Sequence, residues 1–457
     1  MPPRLWLLAA ALAFAWASPS LAADARKPNV LVILSDDVGW AEYGFQGGKD
    51  VPTPRIDSIA KSGVRFTQGY VSGPYCSPTR AGLMTGRYQT RFGHENNRVP
   101  VVSGLPLTET TIADRLRGQG YATCAIGKWH LGRAMEFRPT RRGFDEFYGT
   151  IGNTPFYHPT QFVDSRVSDE VMPVPDDEFY TTDKYADRAV DWLSKVKDRP
   201  WFLYLPFNAQ HAPLQAPKKY LDRFPNITDP TRKLFAASMS AMDDAVGRVL
   251  DQVKAMGQED NTLIVFTSDN GGPTRQTTSS NGPLRGFKAT TWEGGVRVPF
   301  CIQWKGTLPA GKTYDNPIIQ LDILPTALAA AGAPIDPAWK LDGVDLKPYL
   351  TGENSAKPHE TLYWRFGKQW AVRHGDWKLV VANGGSGKPE LYQLTDDLGE
   401  KDNLASRESA KLAELQKVYE VWNAEQAEPI TPMEDPAPNA ATKKKAAAKK
   451  KAAAANN

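Results

Sequence analysis

Short apolar runs alternate with helix-like segments along much of the chain. Four continuous apolar runs predict buried strands, namely N-V-L-V-I-L (29–34), Y-A-T-C-A-I (121–126), W-F-L-Y-L-P-F (201–207) and T-L-I-V-F (262–266). Apolar side chains recur at helical intervals in residues 182–196 and 231–256, which predicts helices between these strands. Strands that are apolar on both faces are typical of a parallel sheet covered by helices on each side. We therefore expect an α/β fold with a large, mostly parallel central sheet flanked by helices.

The pattern changes after Gly343. The segments R-F-G-K-Q-W-A-V-R-H-G-D-W-K-L-V-V and P-E-L-Y-Q-L predict short strands joined by glycine-containing turns, and S-A-K-L-A-E-L-Q-K-V-Y-E-V-W predicts a final helix. We therefore divide the chain into a large α/β domain (24–343) and a smaller C-terminal α+β subdomain (344–428), with an antiparallel sheet plus a helix. Residues 429–457 are rich in Ala, Lys, Pro and Asn, which predicts a disordered tail.

The first 23 residues have the features of a secretory signal. Arg4 precedes an apolar run, and the small residues of S-P-S-L-A-A follow it, as at a cleavage site. The run is short for a membrane span, and no cysteine follows it to carry a lipid, although an uncleaved anchor is the alternative. We expect a signal peptide (1–23) and a secreted or periplasmic mature protein without a stable membrane anchor.

The net charge of +4 belongs to the tail. The run K-K-K-A-A-A-K-K-K alone contributes six lysines, so the rest of the chain carries −2. A body close to neutrality does not indicate a nucleic-acid partner.

The chain has three cysteines, few for an exported protein. Cys124 and Cys301 lie in apolar, strand-like runs, which predicts buried thiols and leaves a disulfide between them open. Cys76 is different because it lies in the polar segment Y-C-S-P-T-R, just before a predicted helix. An odd cysteine in such a segment of an exported protein indicates a chemical role.

Polar residues follow each of the four predicted strands. In chain order they are Asp36 and Asp37, Lys128 and His130, His211, and Asp269 and Asn270. Because ligands bind beyond the carboxyl ends of parallel strands, we expect these side chains to meet at one edge of the sheet. Each signal has an ordinary interpretation when taken alone: an Asp-Asp pair often caps a helix, and D-N-G-G often forms a turn.

Together these residues suit an anionic ester. Three carboxylates and an amide offer only oxygen ligands, which suits a hard divalent cation, Ca²⁺ or Mg²⁺, rather than zinc. The lysines, the histidines and Arg80 supply positive charge and groups that transfer protons. A metal ion combined with cations is what a phosphate or sulfate ester needs while its central atom is attacked.

The same segments carry a family resemblance. The stretch C-S-P-T-R-A-G-L-M-T-G-R resembles the maturation signal of the formylglycine-dependent (type I) sulfatases of the alkaline phosphatase superfamily. Similar segments follow in the family's order, namely S-D-D-V-G-W before it and G-K-W-H-L-G, N-A-Q-H-A-P, T-S-D-N-G-G and L-R-G-F-K-A-T-T-W-E-G-G-V-R-V-P after it. The last of these adds Lys288. The resemblance runs from about Asn29 to Gly332 and implies an alkaline-phosphatase-like fold.

The resemblance implies a mechanism. A formylglycine-generating maturation enzyme would oxidise Cys76 to Cα-formylglycine, whose hydrate would attack sulfur. Ca²⁺ would be ligated by Asp36, Asp37, Asp269, Asn270 and residue 76. Arg80 would orient the hydrate, and Lys128, His211 and Lys288 would hold the sulfate and the bridging oxygen. His130 would take a proton from the second hydroxyl, so that sulfate leaves and the aldehyde is regenerated.

The alcohol that carries the sulfate is not named by these motifs. We expect a sulfated carbohydrate, because the protein is predicted to be exported. Candidate substrate contacts lie in two polar and aromatic loops and are His94, Asn97, Arg98, Tyr157 and His158, although both segments could equally be ordinary loops. Three alternatives stay open: a phosphate or phosphonate ester hydrolase on the same scaffold, a non-catalytic protein that binds sulfated glycans, and a sulfatase of small choline or aryl sulfates.

Overall fold

A computed structural model describes residues 26–97, 103–174 and 178–431. The predicted signal peptide and Arg98 lie outside these residues, as does the predicted tail from residue 432 onward. Among the described residues, none of the helices has both the length and the apolar character that crossing a bilayer requires.

The described strands are assigned as follows. They are β1 (Asn29–Ser35), β2 (Val64–Phe66), β3 (Gly69–Tyr70), β4 (Ala122–Lys128), β5 (Glu146–Thr150), β6 (Phe162–Asp164), β7 (Ser168–Met172), β8 (Trp201–Pro206), β9 (Thr262–Ser268), β10 (Phe300–Gln303), β11 (Lys312–Tyr314), β12 (Ile318–Ile319), β13 (Thr361–Phe366), β14 (Gln369–His374), β15 (Trp377–Val381) and β16 (Glu390–Gln393).

The described α-helices are α1 (Pro54–Lys61), α2 (Cys76–Thr85), α3 (Ile112–Gly118), α4 (Thr181–Val196), α5 (Lys218–Leu221), α6 (Pro230–Ala255), α7 (Thr274–Thr277), α8 (Glu293–Val296), α9 (Ile323–Ala330), α10 (Lys347–Thr351) and α11 (Ser409–Asn423). Local signals explain where some of them begin. Asp229 accepts a hydrogen bond from the Arg232 amide and so caps α6. Thr111 and Asp114 form a reciprocal capping box at the start of α3.

The large sheet has a parallel centre. Its strand order is β11-β2-β10-β9-β1-β8-β4-β5-β6-β7, and the five strands from β9 to β5 run parallel to one another. Strands β10, β6 and β7 run antiparallel to a neighbour and extend the sheet on both sides. The four strands predicted from apolar runs are the adjacent strands β9, β1, β8 and β4. This adjacency places the polar residues that follow them side by side.

Both faces of this sheet are covered. In β1, Leu31 and Ile33 pack against one hydrophobic cluster, which includes side chains from α1, α4 and α6. Val30 and Val32 point the other way, into a cluster with side chains from α2, α3 and α9. The predicted α/β fold with a large, mostly parallel sheet flanked by helices is confirmed.

The smaller C-terminal antiparallel sheet is also confirmed. It has the order β13-β14-β15-β16, and α11 packs on it in a third hydrophobic cluster. That cluster also contains Tyr70, Tyr88 and Trp292 from the large unit, so the two units share apolar contacts.

A buried ion cluster also joins the two units. Lys378 of β15 lies 2.8 Å from Glu293 of α8 and 2.9 Å from Glu400, measured from Nζ to the carboxylate oxygens, and all three side chains are inaccessible to solvent. Burial raises the pKa of Glu400 to about 7, although Lys378 opposes this shift. The ammonium group therefore compensates two carboxylates that water cannot reach.

Replacing Lys378 by methionine should lower the free energy of unfolding by about 3–5 kcal/mol, because Glu400 would be left buried without its cation. Urea denaturation followed by tryptophan fluorescence measures this change. The matched control is Lys417→Met on the exposed face of α11, expected to change stability by no more than about 0.5 kcal/mol. Equal effects of the two substitutions would contradict the role given to Lys378.

Candidate active site

Six elements of the large unit bring the predicted site residues together. Asp36 and Asp37 follow β1, Asp269 and Asn270 follow β9, Lys128 ends β4 and His130 lies just beyond it, and His211 follows β8. Helix α2 begins at Cys76 and carries Arg80 one turn later, and the loop before α8 carries Lys288. The sequence prediction that these residues share one edge of the sheet agrees with this arrangement.

The adjacent carboxylates Asp36 and Asp37 join the same cluster because the backbone turns between them. Side chains of successive strand residues normally point to opposite faces. Asp37 has a φ of 67°, outside the strand conformation, and its amide donates to Asp269 Oδ1 at 3.1 Å. This local turn directs Asp36 and Asp37 to one place.

The acidic cluster surrounds Cys76. The Sγ atom lies 3.5 Å from Asp36 Oδ1 and 4.0 Å from Asp37 Oδ1. One potential ligand atom from each of Asp36, Asp37, Cys76 and Asp269 lies within 4.8 Å of all the others. All four side chains are buried. Such a cluster of buried carboxylates requires compensating positive charge.

Two buried cations, Arg80 and Lys128, and the partly buried Lys288 provide this charge. Arg80 donates to Asp269 Oδ2 from both Nη2 (2.9 Å) and Nε (3.2 Å). Lys128 forms an ion pair with Asp36. Lys288 Nζ lies 2.6 Å from Asp37 Oδ1 and 3.3 Å from Cys76 Sγ. Arg80 also donates to the Lys128 carbonyl oxygen at 2.8 Å, which ties α2 to the end of β4.

These charges act differently on the acidic groups. Burial alone would raise the pKa of Asp36, but Lys128 and further cations hold it well below its usual range. Burial and the neighbouring Asp36 raise the pKa of Asp269. Burial and Asp269 likewise raise the pKa of the Cys76 thiol well above its ordinary value. An unmodified Cys76 is therefore a protonated thiol at neutral pH and a weak nucleophile.

The two histidines differ in their burial and surroundings. His211 Nε2 lies 3.7 Å from Asp37 Oδ2, and the side chain keeps 18% of its surface exposed. Burial lowers the pKa of His211. Burial, followed by the charges of Lys128 and Arg80, lowers the pKa of His130 well below its ordinary value. Both rings are therefore neutral near pH 7 and able to accept a proton.

The residues predicted to contact substrate have different surroundings in the structure. His94 and Asn97 hydrogen-bond to Ser77 within the protein, and His94 is 3% exposed. Tyr157 packs against Tyr180 and its amide donates to Gln215, while His158 is exposed. Arg98 lies outside the described residues, so the role of these loops in substrate binding stays a prediction.

Other neighbours of the site were not singled out from the sequence. Phe366 of β13 packs on Tyr75, with 5.5 Å between ring centroids. Gln369 of β14 donates to the carbonyl oxygen of Ala289, next to Lys288, at 3.0 Å. No local motif marks these two residues, because they reach the site from a sheet that lies far along the chain.

Comparison with known families identifies the class of protein. The sulfatase family model matches residues 28–333, and the model for the C-terminal part of N-sulphoglucosamine sulphohydrolase matches residues 287–424. The chain therefore belongs to the sulfatase family and is an enzyme of that class. The family resemblance predicted from the C-S-P-T-R segment is confirmed.

Individual relatives agree with this assignment. Arylsulfatase G of Rattus norvegicus is 33% identical over 83% of this chain and 83% of its own length. The crystal structure of Ps i-CgsB in complex with k-i-k-neocarrahexaose superposes with a TM-score of 0.81 at 34% identity, covering 90% of this chain and 95% of that one. The PsFucS1 sulfatase from Pseudoalteromonas sp. gives a TM-score of 0.77 at 28% identity, with 88% and 90% covered.

Arg80→Lys tests whether the geometry of the guanidinium is needed in addition to its charge. A lysine keeps the charge but cannot contact Asp269 through two nitrogens and also donate to the Lys128 carbonyl. We expect kcat/KM for a sulfate ester to fall by about 10²–10³-fold, as for the loss of an oriented catalytic donor.

The control is Arg87→Lys, just beyond the other end of α2, where Arg87 pairs with Glu109 at 2.7 Å near the surface. This exchange should change kcat/KM by no more than about twofold, because a partly exposed ion pair contributes little. Similar losses in both variants would argue against a geometric role of Arg80.

Proposed function

We propose that the protein hydrolyses sulfate esters of a carbohydrate outside the cytoplasm, with residue 76 as formylglycine and a bound Ca²⁺. The observation that carries this proposal is the convergence of a carboxylate cluster and three cations on one buried cysteine at a helix start. The mature protein would be secreted or periplasmic, as its N-terminal sequence predicts.

Modification of Cys76 explains its surroundings. A thiol whose pKa is raised by burial and by Asp269 is poorly suited to nucleophilic attack. The segment C-S-P-T-R has the form of the family's maturation signal, and a formylglycine-generating enzyme would be the partner that modifies it. Formylglycine hydrate supplies one hydroxyl for attack and a second one that allows sulfate to leave.

The donor set fits a hard divalent cation. Asp36, Asp37 and Asp269 present carboxylate oxygens close to residue 76. Asn270 donates from Nδ2 to Asp37 Oδ1 at 2.8 Å, while its buried Oδ1 has no hydrogen-bond partner among the described residues. A buried acceptor without a donor beside three carboxylates is suited to Ca²⁺, with Mg²⁺ as the alternative. When bound, the ion would stabilise negative charge on the oxygen of residue 76.

The cations are placed to hold an anionic ester. Lys288 Nζ lies 3.3 Å from the side-chain atom of residue 76, so it can reach a group that approaches that atom. Lys128 forms an ion pair with Asp36, and Arg80 forms an ion pair with Asp269. Fixed positive charges in a site that excludes water stabilise the sulfate oxygens more strongly in the transition state than water does.

The histidines are assigned to proton transfer. A bound anionic ester beside His211 would raise the pKa of that ring, which burial lowers in the free protein. His211, or the neighbouring Lys288, would then donate a proton to the leaving alcohol. His130 is held neutral by burial and by nearby cations, so it can accept a proton from residue 76.

The carbohydrate assignment is supported by the relatives. Ps i-CgsB, 34% identical to this chain, was crystallised with a neocarrahexaose, which is an oligosaccharide. We extend this substrate class to the present protein and leave the particular sugar and sulfate position to experiment. Sulfated oligosaccharides are accordingly the first substrates to assay.

The first test combines the state of residue 76 with substrate choice. Protein produced with a sulfatase-maturing enzyme should yield a peptide around position 76 that is lighter than its thiol form. It should hydrolyse a sulfated oligosaccharide or an aryl sulfate at least about tenfold faster than the matched phosphate, a difference of about 1.4 kcal/mol in activation free energy. Mass spectrometry and sulfate release measure these two quantities.

Cys76→Ala is the control, because it keeps every charged group and removes the modifiable atom; its activity should be at background. Finding only the thiol, while a known sulfatase is converted in the same cells, would contradict the proposed nucleophile. Faster hydrolysis of the phosphate would instead favour the phosphoesterase alternative.

The second test concerns the metal. Adding Ca²⁺ to chelator-treated protein should raise the unfolding temperature. A free Ca²⁺ concentration of 100 times the Kd stabilises the native state by about 2.7 kcal/mol. Thermal unfolding at graded Ca²⁺ and Mg²⁺ concentrations measures this without an activity assay. Asn270→Ala should move the Ca²⁺ dependence to higher concentration, whereas Asn261→Ala, away from the cluster, should leave it unchanged. No Ca²⁺ or Mg²⁺ dependence would contradict the metal site.

A further inference from the structure

The first turn of α2 is fastened by a loop that the proposed reaction does not use. Asn97 Oδ1 accepts a hydrogen bond from the Ser77 amide at 2.8 Å. The first amides of a helix have no partner within the helix, so Asn97 satisfies one of them. Ser77 directly follows residue 76, and this bond therefore fixes the backbone that carries the proposed nucleophile.

The hydroxyl of Ser77 connects that backbone to His130. Ser77 Oγ lies 2.6 Å from the His130 carbonyl oxygen and 2.7 Å from His94 Nε2. A carbonyl oxygen can only accept, so the hydroxyl donates in its contact with His130, while His94 Nε2 lies within hydrogen-bonding distance of the same hydroxyl. Burial lowers the pKa of His94 to about 4, and a hydrogen bond with the Gly104 backbone partly opposes this shift.

His130 needs such support because its backbone is unusual. Its φ of 61° lies in the left-handed region, which persists only where the surroundings hold it. The His130 amide donates to the Ile151 carbonyl oxygen at 2.8 Å, and Ser77 binds its carbonyl. Its ring Nδ1 is buried and has no hydrogen-bond partner among the described residues, so no hydrogen bond at that atom orients the ring.

The loop with His94 and Asn97 is itself anchored from the C-terminal part of the chain. Glu95 forms an ion pair with Arg365 of β13. The Ile430 amide donates to the Gly93 carbonyl oxygen at 2.9 Å, and Asn96 donates to that of Thr431 at 2.7 Å. Protein contacts other than those with Ser77 therefore also hold the loop in place.

We propose that His94 and Asn97 are positioning residues that act through Ser77 to fix residue 76 and His130 relative to each other. In this role neither residue needs to contact the substrate. The inference rests on the proposed function, in which residue 76 attacks sulfur and His130 accepts a proton in the release step. One hydrogen-bonded hydroxyl thus sets the geometry of two groups that work in different steps.

The test uses His94→Ala, Ser77→Ala and the double variant, each in mature enzyme with its formylglycine fraction measured. Activity per formylglycine is compared on an aryl sulfate and on a sulfated carrageenan oligosaccharide. We expect kcat to fall by about 10–10²-fold on both substrates, because small misplacements of reacting groups cost that much, with KM unchanged within about twofold. The double variant should lose little more than one single variant, because both changes break the same link.

Conservative variants and a matched control complete the experiment. His94→Gln retains an N–H donor and Ser77→Thr retains the hydroxyl, so both should recover most of kcat. His374→Ala breaks a comparable histidine–hydroxyl pair with Thr361 (2.7 Å) in the small sheet and should leave kcat unchanged. Ser77→Ala removes only one oxygen atom, so it tests the link if His94→Ala does not fold.

Two results would overturn the inference. A raised KM for the oligosaccharide alone, with normal kcat and normal turnover of the aryl sulfate, would make His94 a substrate contact. A lowered unfolding temperature with unchanged kcat at 25 °C would make the pair merely structural. If wild-type enzyme with full formylglycine hydrolyses neither ester, the proposed function fails, and the inference fails with it.

Discussion

The structure depends on keeping like charges together where water cannot reach them. Asp36, Asp37 and Asp269 are buried against one another, a costly arrangement unless opposite charge is equally close. The adjacent order of β9, β1, β8 and β4 brings the acids and Lys128 to the same edge, and α2 inserts Arg80 among them. The sheet topology and the placement of α2 both contribute to this balance of charge.

The parts of the site that follow strands could be predicted from the sequence, because a fully apolar run that ends in polar residues is typical of a central strand in an α/β fold. Asp36, Lys128 and Asp269 belong to this group. Cys76 was singled out as an odd cysteine in a polar segment, and the family resemblance gave it a role and added Lys288; neither residue lies at a strand end. Short sequence motifs were therefore enough to predict which residue types form the site.

The support of the site could not be predicted in the same way. His94 and Asn97 lie in a polar loop, where substrate contact and protein contact produce the same sequence pattern. Only the fold shows that both side chains meet Ser77. Lys378 resembles an ordinary lysine of a short strand, yet it compensates two buried carboxylates that lie elsewhere in the chain. Contacts of this kind depend on which elements pack together, and no local motif encodes them.

The left-handed backbone at Asp37 and His130 limits which residues these positions can hold. Among residues other than glycine, Asn, Asp and His are the types that adopt this conformation most readily. At both positions the residue that the proposed chemistry uses is thus also one that the backbone tolerates. A change to Glu or Lys would preserve a carboxylate or a proton carrier but would meet conformational resistance. The backbone conformation therefore limits which residue types can replace Asp37 and His130, independently of the contacts that their side chains make.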